Sequence, residues 1–134
     1  MRKNMKLLIY TDGLSKGNPG IAAIGAVIKD ERGKTIGTIS QRIGVTTNNV
    51  AEYQALINAL QKALKLGGKK IEIRSDSELM VKQLNGKYKI KSAALRPLYL
   101  EAAQLLGQFE KAIIKHIPRE LNTEADSLAN QAVK

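Results

Sequence analysis

The stretch TNNVAEYQALINALQKALKLGGKKIEIRSDS, residues 47–77, holds the change of period that decides the fold. Tyr53, Leu56, Ile57, Leu60, Ala63 and Leu64 recur at i, i+3, i+4, i+7, i+10 and i+11. That spacing lays one apolar stripe along a helix. Thr47, Asn48 and Asn49 can cap its start, and Gly67-Gly68 ends it. From Lys70 to Ser75 the period falls to two, with Ile71 and Ile73 alternating with charged residues, so the segment is a strand. A helix leading into a strand is half of a crossover connection, and a crossover brings parallel pairing.

Upstream the pattern is all strand. Leu7 to Thr11 is a short apolar run that Asp12-Gly13 brings to an end. Lys16-Gly17-Asn18-Pro19-Gly20 is a turn. Ile21 to Ile28 and Lys34 to Arg42 are two more strands, joined by Asp30-Glu31-Arg32-Gly33, which completes an antiparallel meander. Downstream, Ser77 to Leu84 is a short helix stopped by Asn85-Gly86, and Gly86 to Lys91 is a basic connector. Ser92 opens a helix reaching about Phe109, with Pro97 in its first turn or a short turn ahead of it. Ala112 to Ile117 is a strand, and Asn122 caps a last helix from Thr123 to about Val133. The order is β-β-β-α-β-α-α-β-α. It predicts an α/β fold with a five-stranded mixed sheet, a three-strand antiparallel meander plus parallel strands, flanked by helices.

The 134 residues fit a single domain, 1–134. The absence of cysteine excludes disulfides, thiolate nucleophiles and zinc-thiolate sites. Twenty-two Lys and Arg against twelve Asp and Glu give a net charge of +10, which favours a polyanionic partner. No apolar run approaches the ~18–20 residues of a membrane span. The basic opening Met1 to Lys6 is followed by an apolar run too short for a signal peptide, so a cytoplasmic location is expected.

Four acids fall at junctions: Asp12 at the end of the first strand, Glu52 in the first turn of the long helix, Asp76 after the fourth strand, and Asp126 in the first turn of the last helix. Each has a local explanation. Asp12-Gly13 suits a turn, Asn49-x-x-Glu52 a capping box, Ser75-Asp76-Ser77 a helix cap, and Asp126 a helix dipole. Together, in a chain at +10, they suggest one cluster that a hard divalent cation would neutralise. Mg²⁺ takes oxygen ligands and shares its shell with substrate phosphates. Two such ions ~3.5–4 Å apart activate water and stabilise the leaving oxygen in phosphodiester cleavage.

The acids sit in four blocks: Thr11 to Gly20, Thr46 to Tyr53, Ser75-Asp76-Ser77, and Asn122-Thr123-Glu124-Ala125-Asp126-Ser127-Leu128-Ala129. In this order they resemble the four motifs of type 1 ribonuclease H, over essentially the whole chain. The resemblance implies a ribonuclease H-like fold and cleavage of the RNA strand of RNA/DNA hybrids, leaving 5′-phosphate and 3′-hydroxyl ends. It implies two Mg²⁺ or Mn²⁺ ions with substrate bound, held by Asp12, Glu52, Asp76 and Asp126. It places Asn18, Asn48 and Asn49 near the RNA strand, where amides can both donate to and accept from 2′-hydroxyls. It places Thr47 near a DNA-strand phosphate.

The chain departs from many family members in two ways. The long basic protrusion is reduced to Gly86 to Lys91, carrying Lys87, Lys89 and Lys91, and there is no Trp. No hybrid-binding domain is expected ahead of the catalytic fold. The sequence thus resembles the compact branch of the family, some members of which also cut RNA/RNA duplexes, and a monomer is expected. The second departure is at the family's mobile His loop, where Ile117-Pro118-Arg119-Glu120 follows His116. Ala112, Ile114 and His116 alternate on one strand face; if it is buried, His116 is structural. Arg119, seven residues before Asp126, is then preferred as the functional residue. Two alternatives stay open: a catalytically silent hybrid- or duplex-binding module on the same fold, and a resolvase- or integrase-type core.

Overall fold

A computed structural model describes residues 5–134; the basic opening Met1-Arg2-Lys3-Asn4 lies outside the described residues. Strands β1 (Lys6–Lys16), β2 (Gly20–Lys29) and β3 (Thr35–Thr46) form the antiparallel meander. Strand β4 (Lys70–Ser75) runs parallel to β1, and β5 (Lys111–His116) runs parallel to β4. The spatial order is β3-β2-β1-β4-β5. The helices are α1 (Asn48–Lys65), α2 (Glu78–Leu84), α3 (Arg96–Leu106) and α4 (Thr123–Ala132). This is the expected element order and sheet type. No helix among the described residues is long and apolar enough to cross a membrane.

The main core lies between the sheet and α1. Leu7, Ile9 and Ile73 meet Leu56, Leu60 and Met80 there, all buried. Each such side chain contributes ~1.5–3 kcal/mol. Two glycines set how closely the helices approach. A Cβ on Gly13 would overlap the backbone of Ala51 and Glu52 in α1. A Cβ on Gly25 would overlap the backbone of Ala125 and Ala129 in α4. Gly25 pairs with Asp12, one residue from Gly13, so the two glycines face opposite sides of the sheet. Helices α1 and α4 therefore sandwich β1 and β2 at the level of Asp12.

Several boundaries differ from the sequence reading. Strand β1 does not stop at Thr11; Asp12 and Gly13 pair with Gly25 and Ile24, and the strand runs on to Lys16. The Asp-Gly pair is extended because α1 needs a residue without a Cβ there, not because the chain turns. Strand β3 continues four residues past Arg42 to Thr46. Helix α3 is shorter than expected: Ser92 Oγ accepts from Leu95 N–H in a preceding turn, Pro97 lies in the first helical turn, and Leu106 is last. A 3₁₀ turn, Arg119–Leu121, precedes α4. Because Asn48 begins α1, Glu52 falls in its second turn.

Candidate active site

The site opens where β1 outruns β4. The parallel ladder ends with Thr11 beside Ser75, and β1 continues alone on that side. Asp12 is the first residue past the gap, and Asp76 is the first residue past β4. Glu52 reaches in from α1, where its Oε1 accepts from Gly13 N–H at 2.9 Å. That bond replaces the capping box: the cap of α1 is Thr47, whose Oγ1 accepts from Val50 N–H at 3.3 Å. Asp12, Glu52 and Asp76 each place a carboxylate oxygen within 4.8 Å of the others. Asp126, from α4, stands near enough for its carboxylate to act on the Asp12 carboxyl, but it lies outside the close triad.

The cluster is electrostatically costly. Asp12 is 6% exposed and Glu52 9%. Burial, the Asp76 charge and the contact with Asp126 push the Asp12 carboxyl from 3.8 up to about 8. Burial and the Asp12 and Asp76 charges push Glu52 well above the usual carboxylate range. The Gly13 N–H opposes both shifts, and the Arg119 charge opposes that of Glu52. All the donors are hard oxygens, crowded, and partly neutralised by protons in the absence of a cation. Such a set fits a divalent metal ion of the Mg²⁺ or Mn²⁺ kind.

A cavity of about 450 Å³ unites Asp12, Glu52, Asp76 and Asp126 with Asn48, Asn49 and Arg119. His116 is not among its lining residues. It ends the edge strand β5 opposite Ser75 and is exposed, so the condition for a structural role, a buried face, is not met at this position. Ile114 alone in β5 is buried. Glu78, which sequence reasoning missed, also lines the cavity and pairs with Lys82 at 3.5 Å. Its signal was its position two residues after Asp76. A second cavity of about 560 Å³ holds Lys87, Lys89 and Lys91 and shares Asn49 and Leu79 with the first. The basic connector therefore borders the acidic pocket.

Asn18 and Asn48 clamp the β1–β2 hairpin to the start of α1. Asn48 Oδ1 accepts from Ser15 N–H at 2.7 Å, and Asn18 Oδ1 accepts from Asn48 N–H at 2.9 Å. Ser15 Oγ donates to the Thr46 carbonyl at 2.6 Å. Both amide carbonyls are thus engaged internally. Each amide keeps its NH₂ donors, and the second lone pair of its oxygen, for a ligand.

The sequence family described as reverse transcriptase-like matches residues 10–132. Ribonuclease HI of Halobacterium salinarum is 44% identical over 124 residues, covering 92% of this chain and 62% of that protein. Its solved structure superposes with a TM-score of 0.93 over 96% of this chain and 97% of that one. The chain belongs to the ribonuclease H family. The N-terminal RNase H domain of a bifunctional Mycobacterium tuberculosis protein superposes equally well, with a TM-score of 0.93 at 42% identity, covering 96% and 99% of the two chains. This chain spans 36% of that whole protein's length and 62% of the halobacterial one, so it matches the ribonuclease H portion of longer relatives. A compost-derived RNase H1 solved in complex with an RNA/DNA hybrid superposes with a TM-score of 0.90 at 45% identity, covering 95% and 96% of the two chains. These neighbours are compact ribonucleases H, in line with the branch that the reduced connector indicates.

Proposed function

We propose that this chain is an endoribonuclease that hydrolyses the RNA strand of RNA/DNA hybrids, leaving 5′-phosphate and 3′-hydroxyl ends. The observation that carries the reading is the convergence of Asp12, Glu52 and Asp76 from three elements into one largely buried cluster beside a lysine-lined groove. A pure binder of polyanions gains nothing from such a cluster. The hybrid-bound compost enzyme supports the choice of substrate.

Asp12, Glu52, Asp76 and Asp126 would hold two Mg²⁺ or Mn²⁺ ions once substrate is bound. Those ions supply an activated water and a counter-charge for the leaving oxygen. The residues of the chain do the rest. Glu52 is anchored by the Gly13 N–H, so its free oxygen keeps a fixed direction. Asn18 and Asn48 offer NH₂ donors to 2′-hydroxyl or minor-groove acceptors, and Asn49 stands between the two cavities. Thr47 lies beside them for a DNA-strand phosphate. Lys87, Lys89 and Lys91 neutralise backbone phosphates. Arg119 brings a permanent positive charge to the pocket wall and is preferred over His116 as the phosphate-directed residue. The protein acts as a cytoplasmic monomer in this reading and extends to RNA/RNA duplexes as a second substrate.

The test uses end-labelled RNA/DNA hybrid beside RNA/RNA, DNA/DNA and single strands, with Mg²⁺, Mn²⁺ or EDTA. Cleavage of the RNA strand of the hybrid that EDTA abolishes supports the reading. Binding without cleavage under every metal condition refutes it and leaves the silent binding module.

A further inference from the structure

Asn122 has no role in the reading above. It stands at the N-cap of α4, yet its side chain makes no cap bond. It is 1% exposed. Its Nδ2 donates to the Thr11 carbonyl at 2.8 Å and to Asp76 Oδ2 at 3.2 Å. Both partners are acceptors, which fixes the orientation of the amide. Its Oδ1 is buried with no partner. The residue thus forgoes a cap and leaves one polar atom unpaired to make those two bonds.

The two bonds join the elements that carry three of the acids. Thr11 immediately precedes Asp12 on β1, Asp76 follows β4, and Asn122 lies four residues before Asp126. Asp76 is the half-buried member of the close triad, so it is the one with solvent to swing out into whenever its neighbours are ionised. Among the described residues, the Asn122 amide makes the one side-chain hydrogen bond to the Asp76 carboxylate, and it opposes that swing. We propose that Asn122 is a positioning residue that holds the Asp76 carboxylate against Asp12 and keeps the cluster assembled for a divalent cation. The inference rests on the reading of the cluster as a cation site.

The experiment measures Mn²⁺ affinity of the whole chain without substrate, by electron paramagnetic resonance, alongside thermal unfolding. Asn122→Ser is the decisive variant, because Ser is a favoured N-cap that can sustain α4 yet is too short to bridge both partners. Its Kd for Mn²⁺ should rise about tenfold or more, as for other partners of metal ligands, with Tm near the parent's. Asn122→Ala should show the same rise with a lower Tm. Ser40→Ala serves as the control: it removes another tie of α4, the 2.6 Å bond to the Leu128 carbonyl, and should leave the Kd unchanged. Parental affinity in Asn122→Ser, equal weakening in Ser40→Ala, or failure of Asn122→Ser to fold overturns the inference. If the parent cleaves hybrid and binds Mn²⁺ while Asn122→Ser matches it, only the positioning role falls. If the parent binds no Mn²⁺, the cation reading falls first.

Discussion

Replacing Asp12 by Asn should stabilise the metal-free protein, and the gain should grow with pH. The Asp12 carboxyl titrates at 3.8 when free and at about 8 in the fold. A carboxyl with a raised folded pKa costs nothing below its unfolded value. Its cost then grows by ~1.4 kcal/mol per pH unit and levels off above the folded value. The gain in Asp12→Asn is therefore roughly 2 kcal/mol at pH 5 and roughly 4 kcal/mol at pH 7. The Gly13 N–H is held by Glu52 Oε1, so the substitution leaves that bond in place. Loss of the Asp12 charge also relieves Glu52, an effect of the same sign. With ~2.1 cal/mol/K of unfolding entropy per residue, 134 residues convert this into a Tm difference that widens by ~5 °C per pH unit. The assay is calorimetry of parent and variant in EDTA at pH 5, 6, 7 and 8. Saturating Mn²⁺ should then stabilise the parent by mass action and the variant far less, narrowing the gap. A difference that stays constant from pH 5 to 8, or a variant less stable at pH 7, refutes the reasoning.

Four further outcomes are expected. Asn48→Asp and Asn18→Asp keep the acceptors that hold the hairpin, so Tm should change little while KM for hybrid rises several-fold; a KM like the parent's removes these amides from the interface. Replacing Lys87, Lys89 and Lys91 together by Gln should flatten the slope of log K against log salt by about 2–3; an unchanged slope puts the duplex elsewhere on the surface. Under multiple turnover, Arg119→Ala should lower kcat more than His116→Ala, with unchanged circular dichroism; the reverse order restores the His to its usual family role. At sub-saturating Mg²⁺, cleavage should rise with pH toward about 8, because a cation must displace the proton that Asp12 holds; a rate flat from pH 6 to 9 contradicts the assignment.

Much of this architecture was legible because it rests on local period. Of the stripe read from spacing, Tyr53, Leu56, Ile57, Leu60 and Ala63 are buried and Leu64 is half-buried. The alternation in Lys70 to Ser75 likewise matches the burial of Ile71 and Ile73. The misreadings share a cause, since each concerns a residue whose state is set from far along the chain. Asp12-Gly13 has the local chemistry of a turn, but packing against Ala51 and Glu52 keeps it extended. Glu52 has the spacing of a capping residue, but its partner is Gly13 on β1. Asn122 has the chemistry of a cap, but its partners are Thr11 and Asp76. Alternation left open whether the face of His116 is covered; nothing in its spacing shows that β5 is an edge strand.

The displaced caps and the raised carboxyl pKa values have one physical origin. Asp12, Glu52 and Asp76 come from β1, α1 and the end of β4, and no local preference brings three acids within 4.8 Å. What forces them together is the core beneath: Ile9 and Ile73 pair in register on adjacent parallel strands, which sets Thr11 beside Ser75 and so Asp12 near Asp76. Gly13 lets α1 approach until Glu52 reaches the same point. The apolar layer that stabilises the sheet also compresses the acids, and the repulsion is tolerated because it falls on residues just beyond the ladder. A substitution that loosens the core near Ile9 therefore acts on the cluster without touching a carboxylate. The acids can then move apart, which lowers their pKa values and weakens their joint hold on a cation.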